Sequence, residues 1–261
     1  MNFTRNLGFI STAEQEALGG KKVAIAGVGG DGGLVAEILA RLGVRRFSLA
    51  DPERFEPENL NRQNGCNSDT IGHNKAVVIG ELVAGINPAA VIEIYTDGVT
   101  TDNIAEFLND ADILVDETEF TLPALAVSLA RAARRLNIHT VTGFNVGFGC
   151  QVMSFAPNGY TLERLLGIDD GASLDEIANL GVPLDRWIRR LPSYVTDELV
   201  GRVAAGEIPA PSVAPGVSLV AGFVCTEVFN LLVGRTPPRV MPSMLWVDAL
   251  EGAFEMFDIT D

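Results

Sequence analysis

Cysteine is scarce. Only Cys66, Cys150 and Cys225 occur, far apart and without a CxxC pair. An odd, scattered set builds neither a disulfide framework nor a zinc knot, and a reducing cytoplasm is the expected setting. Positive charge is scarce too: 19 Lys and Arg stand against 34 Asp and Glu, a net charge of -15. DNA and RNA need a basic surface for their phosphates, so a nucleic-acid partner is not expected. Residues 1–20 lack the apolar core and basic start of a signal peptide. The longest apolar stretch, 213–233, is interrupted by Pro215, Gly216, Ser218, Gly222, Thr226, Glu227 and Asn230. It reads as a buried helix rather than a membrane span, so no membrane partner is expected. Internal repeats are absent, and nothing resembles a Ser/His/Asp triad or paired glycosidase carboxylates.

What is present is apolar. Hydrophobic residues make up 47% of the 261 and charged ones 20%, enough to bury a substantial core. Residues 22–26 read as a strand, 32–42 as a helix and 46–50 as a strand ending in Asp51, which together form a βαβ unit. Helices are predicted over 72–86, stopped by Asn87-Pro88, over 101–108 behind a Thr100 or Thr101 cap, and over 122–136. Strands are predicted over 91–95, 113–115 (ending in Asp116) and 138–142. This alternation predicts an α/β fold with a Rossmann-like, doubly wound, mainly parallel sheet. Beyond it, 150–155 reads as an antiparallel continuation, 216–232 as an apolar helix, and 244–248 with 253–257 as a closing hairpin turning at Glu251-Gly252. The expected organisation is a single domain. An arm (1–20) precedes a nucleotide-binding core (21–156), a helical insertion over the active face (157–211), and a C-terminal helix and hairpin (212–261).

The first βα turn carries GxGxxG at Gly27, Gly29 and Gly32, with Gly30 between. Glycines allow a tight turn and close approach of phosphates to backbone N–H groups, and the helix behind offers its positive end. Asp51, closing the second strand, is placed to accept ribose hydroxyls. The loop suits NAD, FAD or ATP alike, and a tight turn without a ligand is the bland alternative. Asp31 is awkward beside phosphates; it points to solvent or sits near a metal. Downstream come Asn59-Leu60-Asn61-Arg62-Gln63 and then Gly72-His73-Asn74-Lys75. A nicotinamide dehydrogenase has no need of Arg62 and Lys75. A triphosphate has, because its leaving pyrophosphate gathers negative charge.

The order GxGGxG, a strand-closing Asp, N-L-x-R-Q, and G-x-x-K before a helix ending in N-P resembles the ThiF/MoeB/HesA adenylating enzymes, relatives of ubiquitin-activating enzymes. The resemblance runs from about Arg5 to Val152 and resumes from about Pro215. It implies ATP and Mg2+ as cofactors and adenylation of a carboxylate with release of pyrophosphate. Asp51 would hold ribose, and Asn59, Arg62 and Lys75 the triphosphate, with Gln63 in support. Arg5 would reach across a homodimer to the γ-phosphate. The family's D-x-T-D-N run is here Asp116-Glu117-Thr118-Glu119-Phe120. Glu119 thus takes the magnesium position, Asp116 is a reserve ligand, and Phe120 replaces a polar residue. The CxxC pairs and the acceptor cysteine of many relatives are missing, with no cysteine between Gln151 and Phe223. The activated acyl group would pass to an external nucleophile. The carboxylate belongs to a ubiquitin-like carrier protein, a peptide or a small metabolite. An NAD-dependent oxidoreductase and a catalytically inactive nucleotide-binding scaffold are the alternatives. Cys66 and His73 are expected to be bystanders, and Cys150, Cys225 and His139 core. The glycine-rich run 142–149 is either a substrate-facing loop or an extended connection into the next strand.

Overall fold

In the computed structural model, which describes residues 3–259, one sheet organises the chain. Its strands are β1 (Lys22–Ala26), β2 (Arg46–Ala50), β3 (Val91–Tyr95), β4 (Ile113–Asp116), β5 (His139–Val146), β6 (Gly149–Phe155), β7 (Ser243–Asp248) and β8 (Ala253–Asp258). The spatial order is β3-β2-β1-β4-β5-β6-β7-β8. β3 through β5 pair in parallel, and β5 through β8 pair antiparallel. The fold is therefore the doubly wound, mainly parallel sheet with an antiparallel continuation.

The helices are α1 (Thr12–Gly20), α2 (Gly30–Leu42), α3 (Lys75–Ile86), α4 (Ile104–Phe107), α5 (Pro123–Arg135), α6 (Leu162–Leu166), α7 (Leu174–Ala178), α8 (Leu184–Trp187), α9 (Asp197–Ala204) and α10 (Ala214–Val233). β1 is buried along its whole length, as a strand covered on both faces must be. α2, α3 and α10 build the larger core on one face, with Val35, Leu39, Ile79, Val220 and Val224 fully buried. α4 and α5 cover the other face through Phe107 and Leu129. α6 to α8 extend that layer, packing Leu162, Leu165, Ile177 and Trp187 against Met153 and Val127. α10 is, among the described residues, the helix long and apolar enough to cross a membrane. It packs instead on α2, β5 and β6 as core, with Glu227 and Asn230 buried in it.

Two local expectations change, and one open alternative is decided. α1 is a helix inside the predicted arm, started by a Ser11–Glu14 capping box. α4 is a single turn rather than 101–108, because Thr100 and Asn103 bond each other and close the chain before it. Of the two readings of the glycine-rich run 142–149, the extended connection holds: β5 and β6 pair as far as Val146 and Gly149. Gly143 is needed in that strand because a Cβ there would lie 2.2 Å from Val220 Cγ2 on α10. Close helix-on-sheet packing, not flexibility, selects the glycine.

Candidate functional site

A cavity of about 300 Å³ opens beyond the carboxyl ends of β1, β2 and β4, where the strand order reverses and open α/β sheets bind ligands. Its floor is the glycine loop. Gly27 has φ +82°, and a Cβ there would stand 2.3 Å from Glu117 O. A Cβ on Gly32 would meet Gly27 O at 1.9 Å. The two glycines let α2 start directly against the strand, so its N-terminus faces the cavity.

Asp51 sits at the end of β2 with both oxygens engaged: Val28 N–H donates to Oδ2 at 2.9 Å and Glu53 N–H to Oδ1 at 2.9 Å. Burial lifts its pKa above the ordinary value, against the pull of these bonds and of Lys75. Asn74 caps α3, accepting from Val77 N–H, while its Nδ2 donates to Asp51 O at 2.9 Å. This cap begins the helix at Lys75 rather than residue 72 and locks it to β2. Lys75 is only 3% exposed and pairs with Glu53 at 2.5 Å. Arg62 follows the short 3-10 helix Pro57–Asn61, and its guanidinium donates to Asn61 Oδ1 at 2.9 Å. Arg62 and Lys75 both line the cavity, as do Gly27, Gly29, Gly30, Gly32, Asp51, Gln63 and Glu119. Gln63 lies over the loop, 3.6 Å from where a Gly29 Cβ would be. The Glu119 carboxyl is pushed up by lost hydration and then by Glu53, with Lys75 and Arg62 opposing.

Three predicted residues stand elsewhere. Asn59 does not line the cavity; its Oδ1 accepts from Glu56 N–H at 3.0 Å and closes the 3-10 turn. Its expected triphosphate contact becomes a structural cap. Asp116 is corrected as a reserve magnesium ligand. It opens onto a separate void of about 20 Å³ on the α5 side of the sheet, and its Oδ1 accepts from Thr118 N–H and Oγ1. Burial raises its pKa to about 6. Arg5 is exposed and lies outside its own chain's cavity. Nor does Asp31 turn to solvent. Its buried carboxyl faces the cavity, Asn145 Nδ2 donates to Oδ2 at 2.7 Å, and burial lifts its pKa to about 6.

Sequence reading misses Glu117 and Asn145. Glu117 lines the cavity, accepts from Gly143 N–H at 3.1 Å, and is pushed well above the carboxylate range, first by burial and then by Asp31 and Asp116. Strand alternation was the available signal: if Asp116 faces one side of β4, the next residue faces the other. The rim is closed by Ile188 and by Pro211 and Ser212, where the insertion ends. The insertion is pinned there by Gln151, which donates to Trp187 O at 2.8 Å and accepts from Arg189 N–H at 2.9 Å.

The thiols stand apart. Cys66 packs at the core margin away from the cavity, and burial raises its pKa. Cys150 and Cys225 are buried in the core, with Cys150 pushed to about 12. His73 is exposed; His139 opens β5 half-buried rather than in the core. Among the described residues no group of three or more His, Cys, Asp and Glu is arranged to hold a metal.

Among characterised proteins, the tRNA threonylcarbamoyladenosine dehydratase of Escherichia coli is 32% identical over 126 residues, 48% of this chain and 46% of the relative. The sulfur carrier protein adenylyltransferase of Thermus thermophilus is 32% identical over 105 residues, 40% of this chain and 39% of the relative. The chain thus matches less than half the length of these relatives. Among solved structures, E. coli MccB with ATP aligns with a TM-score of 0.71 at 18% identity, covering 94% of this chain and 66% of that one. That likeness establishes the fold. The profile of the ThiF family matches residues 3–261, and the chain belongs to that family.

Proposed function

We propose that the chain binds ATP in this cavity and adenylates a carboxylate, releasing pyrophosphate. One observation carries the proposal: two cations from separate segments, Arg62 and Lys75, line the same cavity as the glycine loop and Asp51. With adenosine toward Asp51 and the α-phosphate over Gly29 and Gly30, the cations face the β- and γ-phosphates. The substrate carboxylate attacks the α-phosphorus and the α–β oxygen bridge breaks, so pyrophosphate leaves with its charge met by Arg62 and Lys75. Catalysis is then positioning and charge neutralisation. Magnesium suits the hard carboxylate oxygen of Glu119, which faces the cavity, and when bound would neutralise polyphosphate charge.

The product is an acyl-adenylate. Buried thiols with raised pKa are poor nucleophiles, and no cysteine lines the cavity, so the acyl group goes to an external acceptor. Relatives named for a sulfur carrier protein and a structure of MccB with the peptide MccA support a carrier or peptide C-terminus as substrate, with a small carboxylate the remaining class. We assign a homodimer in which Arg5 of one protomer reaches its partner's cavity, in a reducing cytoplasm suited to the free thiols.

Isotopic exchange between pyrophosphate and ATP, run with carrier tails, peptides and small acids, tests this. Carboxylate-dependent exchange is expected. Calorimetric binding of NADH in place of ATP would return the chain to the oxidoreductase class, and ATP binding without exchange to the scaffold class that Glu119 and Phe120 suggest.

A further inference from the structure

Beside the start of α2 the cavity wall holds a relay of hydrogen bonds that nucleotide binding does not explain. Asn61 Nδ2 donates to Ser212 O at 3.0 Å, Ser212 Oγ donates to Asn145 Oδ1 at 2.7 Å, and Asn145 Nδ2 donates to Asp31 Oδ2 at 2.7 Å. The relay joins the Arg62 segment, the end of the insertion, β5 and the first turn of α2. It stops at Asp31 Oδ1, a buried oxygen with no hydrogen-bond partner among the described residues. Buried acceptors are almost always satisfied, so an orphan in a cavity wall asks for a donor.

The protein does not supply one. Arg62 is turned to Asn61 Oδ1 and Glu58 O. Glu117 accepts from Gly143 N–H and makes no hydrogen bond to Asp31 Oδ1. A nucleotide does not supply one either: its phosphates carry only acceptors and would repel a carboxylate, and its ribose hydroxyls belong at Asp51. What lies beside the α-phosphate, in the proposed reaction, is the molecule whose carboxylate attacks it. That carboxylate is also all acceptor, so the donor must sit close to it on the same molecule.

We infer that Asp31 is a specificity-determining residue that accepts a hydrogen bond from an N–H carried by the carboxylate substrate, either an α-ammonium or the last peptide N–H. The inference rests on the adenylation reading and deepens it. The selected class is amino-acyl or peptidyl carboxylates, over acids of the same shape that lack the N–H. Phe144, Ile188 and Pro211 line the same cavity and suit a slim chain with little polar decoration. A carboxyl with a pKa near 6 is mostly ionised at neutral pH and able to accept.

The test uses the full chain, ATP, Mg2+ and labelled pyrophosphate with two matched pairs of acids. One pair is glycine and acetate. The other is N-acetylglycylglycine and its depsipeptide, with oxygen in place of the last N–H. The N–H member of each pair is expected to support exchange with kcat/KM at least tenfold above its mate, mostly through KM. Asp31→Asn keeps the shape. Its amide oxygen stays on Asn145, which places an NH2 where Oδ1 was. That variant should bring each pair to within twofold, a ratio that any change common to both members leaves untouched. Equal use of both members, or a preference surviving Asp31→Asn, overturns the inference. So does absence of exchange with both pairs while ATP binds. Failure to bind ATP at all overturns the adenylation reading beneath it.

Discussion

Two sets of groups in the cavity wall are built differently. In one, the glycines from Gly27 to Gly32 present the start of α2, and Asp51 closes the adjacent strand. In the other, the side chains of Asp31, Glu117, Asn145 and Ser212 come from α2, the end of β4, β5 and the close of the insertion. The first uses backbone chemistry, which a few neighbouring residues can spell out. The second uses side chains whose environment exists only once the sheet and insertion are assembled. Charge follows the same division. Lys75 pairs with Glu53, whereas Asp31 and Glu117 are pushed toward neutrality by burial.

The largest effect expected is in the backbone set. Gly32→Ala sets a Cβ 1.9 Å from Gly27 O, backbone against backbone, and should cost about 4 kcal/mol or more in urea unfolding. A cost near that of a surface substitution would mean the cradle is looser than described. Next, Lys75→Ala should lower kcat/KM for exchange about 100-fold, near 3 kcal/mol of lost charge stabilisation. Thermal unfolding of the same variant would show whether the pair of buried Lys75 with exposed Glu53 also holds α3.

Asp116→Asn probes the neighbouring void rather than the cavity. The Asp116 pKa is about 6 in the fold, raised from 3.8 by burial. Its favourable contribution is therefore complete below about pH 4 and lost as pH rises through 6. The amide carries no such penalty. The variant should be more stable than the parent by about 2 kcal/mol at pH 8 and equal to it near pH 4. A gain independent of pH would contradict the burial account. The smallest effect is at the far end of the relay. Ser212→Ala removes one hydrogen bond to Asn145 and should cost about 1 kcal/mol in exchange, with ATP affinity unchanged.

Much of the scaffold was legible in the sequence. The alternation of apolar runs gave the parallel half, and the two halves share one sheet. Element ends were less legible wherever side chains decide them: Asn74 starts α3, and Thr100 with Asn103 shortens α4. Residues 142–149 stayed undecided between a loop and an extended connection because the glycine signature is the same for a loop and for tight packing under α10. In the site, the GxGxxG turn, Asp51, Arg62 and Lys75 could be singled out from local pattern and charge. Asn59 could not be placed, since a cap and a ligand look alike in one dimension. Asp116 and Glu117 show the limit most sharply. They are adjacent acids on opposite sides of a strand, and only the sheet reveals which one faces the larger cavity.

The central claim is that Arg62 and Lys75 hold the outer phosphates of a nucleotide whose inner end rests on the glycine loop. Calorimetric titration of ATP and AMP into the parent chain, Arg62→Ala and Lys75→Ala measures this directly. The account predicts that the parent binds ATP at least tenfold tighter than AMP and that each substitution shrinks this ratio while leaving AMP affinity intact. An unchanged ratio of ATP to AMP affinity in both variants would contradict it.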